Sequence, residues 1–187
     1  WMAARLRGLG YLQALDNANM PNKVANLAPG YQGNPDDPDR VYSIPWQGGF
    51  AGIGYNKQAY KDATGKDEPA TMSDLWAAEL KGRVGLLSEM RDTVGLVLLS
   101  QGIDITSADS LNEDAFNAAL EEIKAQIDSG QIYNVRGNSY LDDLTTGNII
   151  AATAWSGDIT VINYESGTDE DPEPFGFVFP ESGATLW

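Results

Sequence analysis

Two short acidic stretches carry the residues best suited to chemistry. The first is Ala151-Ala-Thr-Ala-Trp155-Ser-Gly-Asp158, which follows an apolar strand over 148–153 and leads into a helix over 159–165. Its Trp155 and Asp158 therefore sit at the carboxyl end of a strand, where open α/β sheets bind ligands. An indole face beside a carboxylate holds an organic cation: the ring quadrupole attracts it and the carboxylate accepts from its N–H groups. The second stretch is Ser88-Glu89-Met-Arg-Asp92, between a buried strand over 83–87 and an apolar helix over 93–101. Acids in a first helical turn also complement the helix dipole, by about 0.3–1 kcal/mol, so either pair alone is explained by helix chemistry. Two acidic strand-to-helix turns, one with a Trp, read together as one site.

The composition narrows the ligand. The 187-residue chain has 27 Asp and Glu against 12 Lys and Arg, a net charge of −15. That field repels nucleic acid and accelerates the approach of cations. With no Cys and no His, thiolate nucleophiles, histidine bases and the usual zinc and copper ligand sets are excluded. No cofactor is expected. The turn-rich Asn34-Pro-Asp-Asp-Pro-Asp39 lacks the spacing and terminal Glu of an EF-hand loop. No apolar run approaches the length of a membrane span. The Trp1 start and the Trp187 stop, inside what reads as a strand, indicate an interior piece of a longer protein.

Elements that would position the acids follow from periodicity and punctuation. An amphipathic helix is expected over 1–15 on Leu6, Leu9 and Leu12, weakened by Gly8 and Gly10. Strands are expected over 41–45 and 50–55, with a polar, turn-like stretch over 61–70. Thr71 and Asp74 fit a capping box for a helix through Leu80, and Ser110 with Glu113 fits another that opens a helix to Ser129. That helix would bury Phe116, Leu120, Ile123 and Ile127 and end at Gly130. A strand over 132–135, a helix over 140–146, an acidic loop over 167–174 and strands over 175–179 and 184–187 complete the chain. Alternating strands and helices define an α/β class.

In this order the motifs resemble the polyamine-binding branch of bacterial extracellular solute-binding proteins, the spermidine/putrescine receptors of ABC importers. The resemblance rests on Tyr42-Ser-Ile-Pro-Trp46 with Gly52-Ile-Gly-Tyr-Asn56, on Ser73-Asp-Leu-Trp76 with Leu80-Lys-Gly-Arg-Val84, and on Glu89-Met-Arg-Asp92. Ser139-Tyr140, Asp143-Leu, Gly147 and Ala154-Trp-Ser-Gly-Asp158 form the most specific match, and Phe179-Pro-Glu-Ser-Gly-Ala184 extends it. It departs from the family at Trp46-Gln-Gly-Gly-Phe50, where a Trp-Gly-Thr-like turn is usual, and lacks the first aromatic/acidic box and the acid that follows Trp187.

The resemblance implies a two-lobed, hinged, type II periplasmic-binding-protein fold with parallel-sheet lobes and an incomplete first lobe. Residues 1–57 and 155–187 would form lobe 1, and 58–154 lobe 2, with crossings near 55–57 and 153–155. It also implies ligand-binding roles. Trp1 would stand at the mouth of the cleft. Asp92 would be the main amine-binding carboxylate, with Glu89 as helper. Trp155 would stack on the methylenes, Asp158 would take an amine, and Trp187 would supply a further aromatic. The implied partners are a polyamine and the membrane permease of an importer. The location would be periplasmic or extracytoplasmic, with membrane attachment only through a lipid anchor outside these residues. A receptor for another solute (an aminophosphonate, amino-sugar or carboxylate) and, more remotely, a paired-carboxylate glycosidase built on Asp92 and Asp158 are the alternative readings.

Overall fold

The computed structural model describes residues 2–34 and 36–186. Trp1 and Trp187, two of the expected binding residues, lie outside them. The chain forms two compact units, divided between Gly48 and Gly49.

Among the described residues the first unit carries the short helices α1 (Met2–Gly8), α2 (Pro21–Asn26) and α3 (Pro29–Gln32), with a 3-10 turn over Asn17–Asn19. The helix expected over 1–15 stops at α1, which buries no residue, and Gly10 has a φ of 75°. Without a buried face, helix propensity alone does not carry so short a segment further. No strand forms over 41–45. Those residues instead wrap the buried Asp37 carboxylate, which accepts from the Val41 and Tyr42 amides at 3.0 and 2.9 Å and from the Ser43 hydroxyl at 2.8 Å. Burial works to raise this carboxyl group, but the Ser43 hydroxyl and the backbone amides outweigh it and hold it below the ordinary value.

The second unit is built on one mixed sheet. Its strands are β1 (Phe50–Asn56), β2 (Val84–Leu87), β3 (Ile132–Arg136), β4 (Ala151–Trp155), β5 (Phe175–Val178) and β6 (Thr185–Leu186). They run in the order β3-β2-β4-β1-β5, with β6 also on β1. The pairings β2–β3 and β2–β4 are parallel, whereas β1 is antiparallel to β4, β5 and β6. The sheet is thus mixed rather than parallel. Within it β1 pairs with β5, both expected in lobe 1, and also with β4, nearly all of which was expected in lobe 2.

Helices cover the sheet because its central strands are apolar on both faces. All four residues of β2 are buried, as are the first four of β4. Ala51, Ile53, Tyr55, Val84 and Ala151 join a core with α4 (Lys57–Thr64), α5 (Met90–Ser100) and α6 (Glu113–Asp128). Leu87, Ala152 and Ala154 join a second core with α7 (Tyr140–Thr145) and α8 (Ser156–Ser166).

Helix α4 takes in residues 61–64 of the stretch read as turn-like. Its start signal is Asn56, whose side chain accepts from the Ala59 amide at 2.9 Å, and it buries Tyr60. The Thr71/Asp74 box forms, but it opens two 3-10 turns, Met72–Trp76 and Ala78–Leu80, rather than one helix. Helix α6 is capped by Asn112, not by a Ser110/Glu113 box. Its buried face is rotated from the expected stripe. Leu120 and Ile127 are exposed, while Ala119 is fully buried beside Ala115, Phe116 and Ile123. Small residues let α6 lie close to α5, and that closeness decides which face turns inward.

Candidate functional site

The backbone pairing of β2 with β4 stops short of their carboxyl ends, and the site forms there. The parallel ladder between them covers Val84–Ala151 and Gly85–Ala152. Beyond it, side chains take over. The Leu87 amide donates to the Thr153 hydroxyl at 2.8 Å, and the Thr93 hydroxyl donates to the Leu87 carbonyl at 2.7 Å. Both threonines are buried. They tie the first turn of α5 to the end of β4.

Helix α5 begins at Glu89, whose carboxylate accepts from the Arg91 amide at 3.2 Å and lies 3.5 Å from the Arg91 guanidinium. Glu89 is exposed, so that pairing is screened. Asp92, one turn further in, is only 5% exposed. One of its oxygens accepts from the Trp155 indole Nε1–H at 2.7 Å, and the other from the Thr185 hydroxyl at 2.7 Å. Thr185 reaches it because Gly95 leaves room: a Cβ on Gly95 would stand 2.8 Å from the Thr185 methyl.

Trp155 ends β4 and caps α8. Its backbone N–H donates to the Tyr140 hydroxyl at 3.2 Å. That hydroxyl in turn donates to the Asp158 carboxylate at 3.2 Å, which also accepts from the Asn138 amide at 3.3 Å. The Tyr140 ring is fully buried and meets the Trp155 ring edge-on, with centroids 6.4 Å apart at 72°. Burial pushes the Asp158 carboxyl group up, and the Tyr140 and Asn138 donors offset this only in part. Burial and the neighbouring Asp158 charge push the Tyr140 hydroxyl far above its ordinary value, so it remains a donor at neutral pH.

The two acidic turns therefore meet through Trp155. Asp92, Trp155 and Asp158 come together, with Glu89 at the exposed rim of the same helix start. Three contributors were not singled out as site residues in the sequence: Tyr140, Asn138 and Thr185. Tyr140 had a visible signal as the first residue of a short helix inside the most specific motif. Asn138 and Thr185 had none, because their roles depend on partners 20 and 93 residues away. An open cleft of about 560 Å³, lined in part by Tyr55, Lys57, Glu68, Tyr164 and Glu173, includes none of the acid–Trp residues. Its Lys57–Glu173 pair is 3.9 Å apart and exposed. Among the described residues no group of three or more acidic side chains is placed to hold a metal ion.

The unit is a mixed α/β sheet that brings an indole and two carboxylates together at the ends of adjacent strands. The model of the bacterial extracellular solute-binding protein family matches residues 2–187, and the chain belongs to that family. It is similar to the spermidine/putrescine-binding periplasmic protein 1 of Haemophilus influenzae, at 26% identity over 188 residues, covering 100% of this chain and 48% of that protein. It is also similar to the Escherichia coli spermidine/putrescine-binding periplasmic protein, at 27% identity over 185 residues, covering 98% and 48% respectively. Among solved structures, a putative spermidine/putrescine ABC transporter protein from Listeria monocytogenes superposes with a TM-score of 0.81 at 25% identity, covering 99% of this chain and 52% of that one. A Treponema pallidum lipoprotein gives 0.80 at 20% identity, covering 99% and 54%. The chain thus spans about half the length of the curated relatives it matches.

Proposed function

We propose that the protein is the substrate-binding receptor of an ABC importer and that it captures a polyamine outside the cytoplasm, in a periplasmic or equivalent compartment. The observation that carries this reading is the convergence of Asp92, Trp155 and Asp158 at the open ends of β2 and β4. A diamine or triamine is an apolar rod with charged ends. Carboxylates accept from the ends, and an indole covers the methylenes. The polyamine-binding names of the relatives point the same way. Micromolar capture needs about 8 kcal/mol net. One cation–π contact supplies about 0.5–2 kcal/mol, so several contacts of this kind must act together. Asp158 and the exposed Glu89 take the ammonium groups, and Asp92 orients the indole while contributing its charge. Trp1 and Trp187 are proposed to add aromatic surface in the whole protein. The permease of the importer is the partner, and the ligand leaves chemically unchanged.

Titration calorimetry on the full-length protein tests this. Heat is expected with putrescine, spermidine or spermine, and affinity should fall as salt screens the charges. Binding of an anion or a neutral sugar, with no heat from any polyamine, would overturn the reading.

A further inference from the structure

We propose that Tyr140 is a positioning residue that joins the two acidic turns into one site, its single hydroxyl setting the Trp155 main chain and the Asp158 carboxylate together. For its effect on ligand affinity, the inference rests on the receptor reading above.

A phenol hydroxyl has one proton to give and lone pairs to receive with. Here the proton goes to Asp158 and a lone pair takes the Trp155 N–H, each at 3.2 Å. The ring cannot drift to relax either bond, because it is fully buried in the core formed with Leu144, Ile149 and Ile159. The other end of Trp155 is held as firmly: its Nε1–H is bonded to Asp92, and Asp92 is bonded to Thr185. A continuous path of hydrogen bonds therefore runs from Asp158 through Tyr140, Trp155 and Asp92 to Thr185, linking α8, α7, β4, α5 and β6. Asp92 is bonded to the indole and Asp158, through Tyr140, to the main chain of the same residue, so the path fixes both carboxylates relative to Trp155. It also ties Asp158 to the start of α5, where Glu89 sits; for a ligand whose charges sit at the ends of a rod, the separation of those two acids determines which rod length fits. The groups acting on Asp158 are the Tyr140 hydroxyl and the Asn138 amide, both presented by the turn into α7. Tyr140 thus influences the proton affinity of Asp158 as well as its position.

Tyr140→Phe keeps the ring and removes the hydroxyl. In the ligand-free full-length protein, carbon-detected NMR of the Asp158 carboxyl should show its titration moving to higher pH, because the anion loses a donor. The Trp155 backbone amide should exchange faster and shift upfield. In calorimetry, affinity for the preferred polyamine should drop about tenfold or more, the scale of one hydrogen bond to a charged group, and the preference between putrescine and spermidine should narrow. Asp158→Ala gives an independent reading without altering Tyr140: it should perturb the Trp155 amide, which Asp158 does not touch, through the hydroxyl between them. A Tyr140→Phe protein with an unmoved Asp158 titration would overturn the inference, and so would an Asp158→Ala protein with an unmoved Trp155 amide. If the parent binds no polyamine, the receptor reading fails, while the ligand-free titrations still decide the role of Tyr140.

Discussion

Asp158→Asn separates the cost of holding a charge from its use. In the folded protein the carboxylate is half-buried, accepts from Tyr140 and Asn138, and has its proton affinity raised by burial. A carboxyl group with a raised folded pKa opposes folding while ionised: the penalty is present above the folded pKa and disappears as pH falls below it. Asn mimics the protonated form, its carbonyl can still accept from Tyr140 and Asn138, and the penalty is absent. The melting temperature at pH 7 should therefore hold or rise. Affinity should move the other way. An ammonium group that loses a buried charged partner loses about 2–5 kcal/mol, on the order of 30-fold to several thousandfold in Kd. Differential scanning calorimetry and ligand titration on one preparation measure both quantities. Unchanged affinity would place the site elsewhere. Lost affinity together with a sharp fall in melting temperature would show that Asp158 serves the fold, and the argument from its raised pKa would fail.

Asp92 should behave differently, because both of its oxygens are engaged by the protein. Asp92→Asn can still accept from Trp155 and donate to a rotated Thr185 hydroxyl, costing about 1–2 kcal/mol in urea unfolding, whereas Asp92→Ala strands the indole N–H and should cost about 2–4 kcal/mol. Equal stability of the two variants would mean that these bonds do not persist in solution. Asp74 has its carboxyl group held down to about 2, burial being outweighed by the Lys66 ammonium and the Ala70 and Thr71 amides. Its contribution, about 2 kcal/mol, is fully present above the unfolded value near 4 and is lost as pH falls through about 2. The stability difference between parent and Asp74→Asn should shrink across that window, and a difference independent of pH would refute the assignment. Gly176→Ala would drive a Cβ into the ring and hydroxyl of the buried Tyr55. A loss of about 1–3 kcal/mol or more is expected, and an unperturbed melting curve would contradict the β1–β5 register.

The local chemistry of the chain was legible in its residue order. Apolar runs ending in Glu89–Asp92 and Trp155–Asp158 mark strand-to-helix turns, because side-chain period and first-turn acids are properties of neighbouring residues. The ordered motifs also carry the family resemblance. What the sequence does not encode locally is which surfaces meet. Helix α6 shows an apolar stripe at Leu120 and Ile127, yet buries Ala119, because close packing against α5 rewards small side chains and that neighbour is decided by topology. The antiparallel insertion of β1 between β4 and β5 likewise depends on where the chain returns after long excursions. Asp92 reads in the sequence as an acid free to meet a ligand. Only the tertiary structure brings Trp155 and Thr185, 63 and 93 residues away, to its two oxygens. Only burial of Tyr140 beneath β4 makes one hydroxyl serve both Trp155 and Asp158. A hydrogen bond needs a partner within about 3 Å, and for residues far apart in the chain that proximity is a property of the fold.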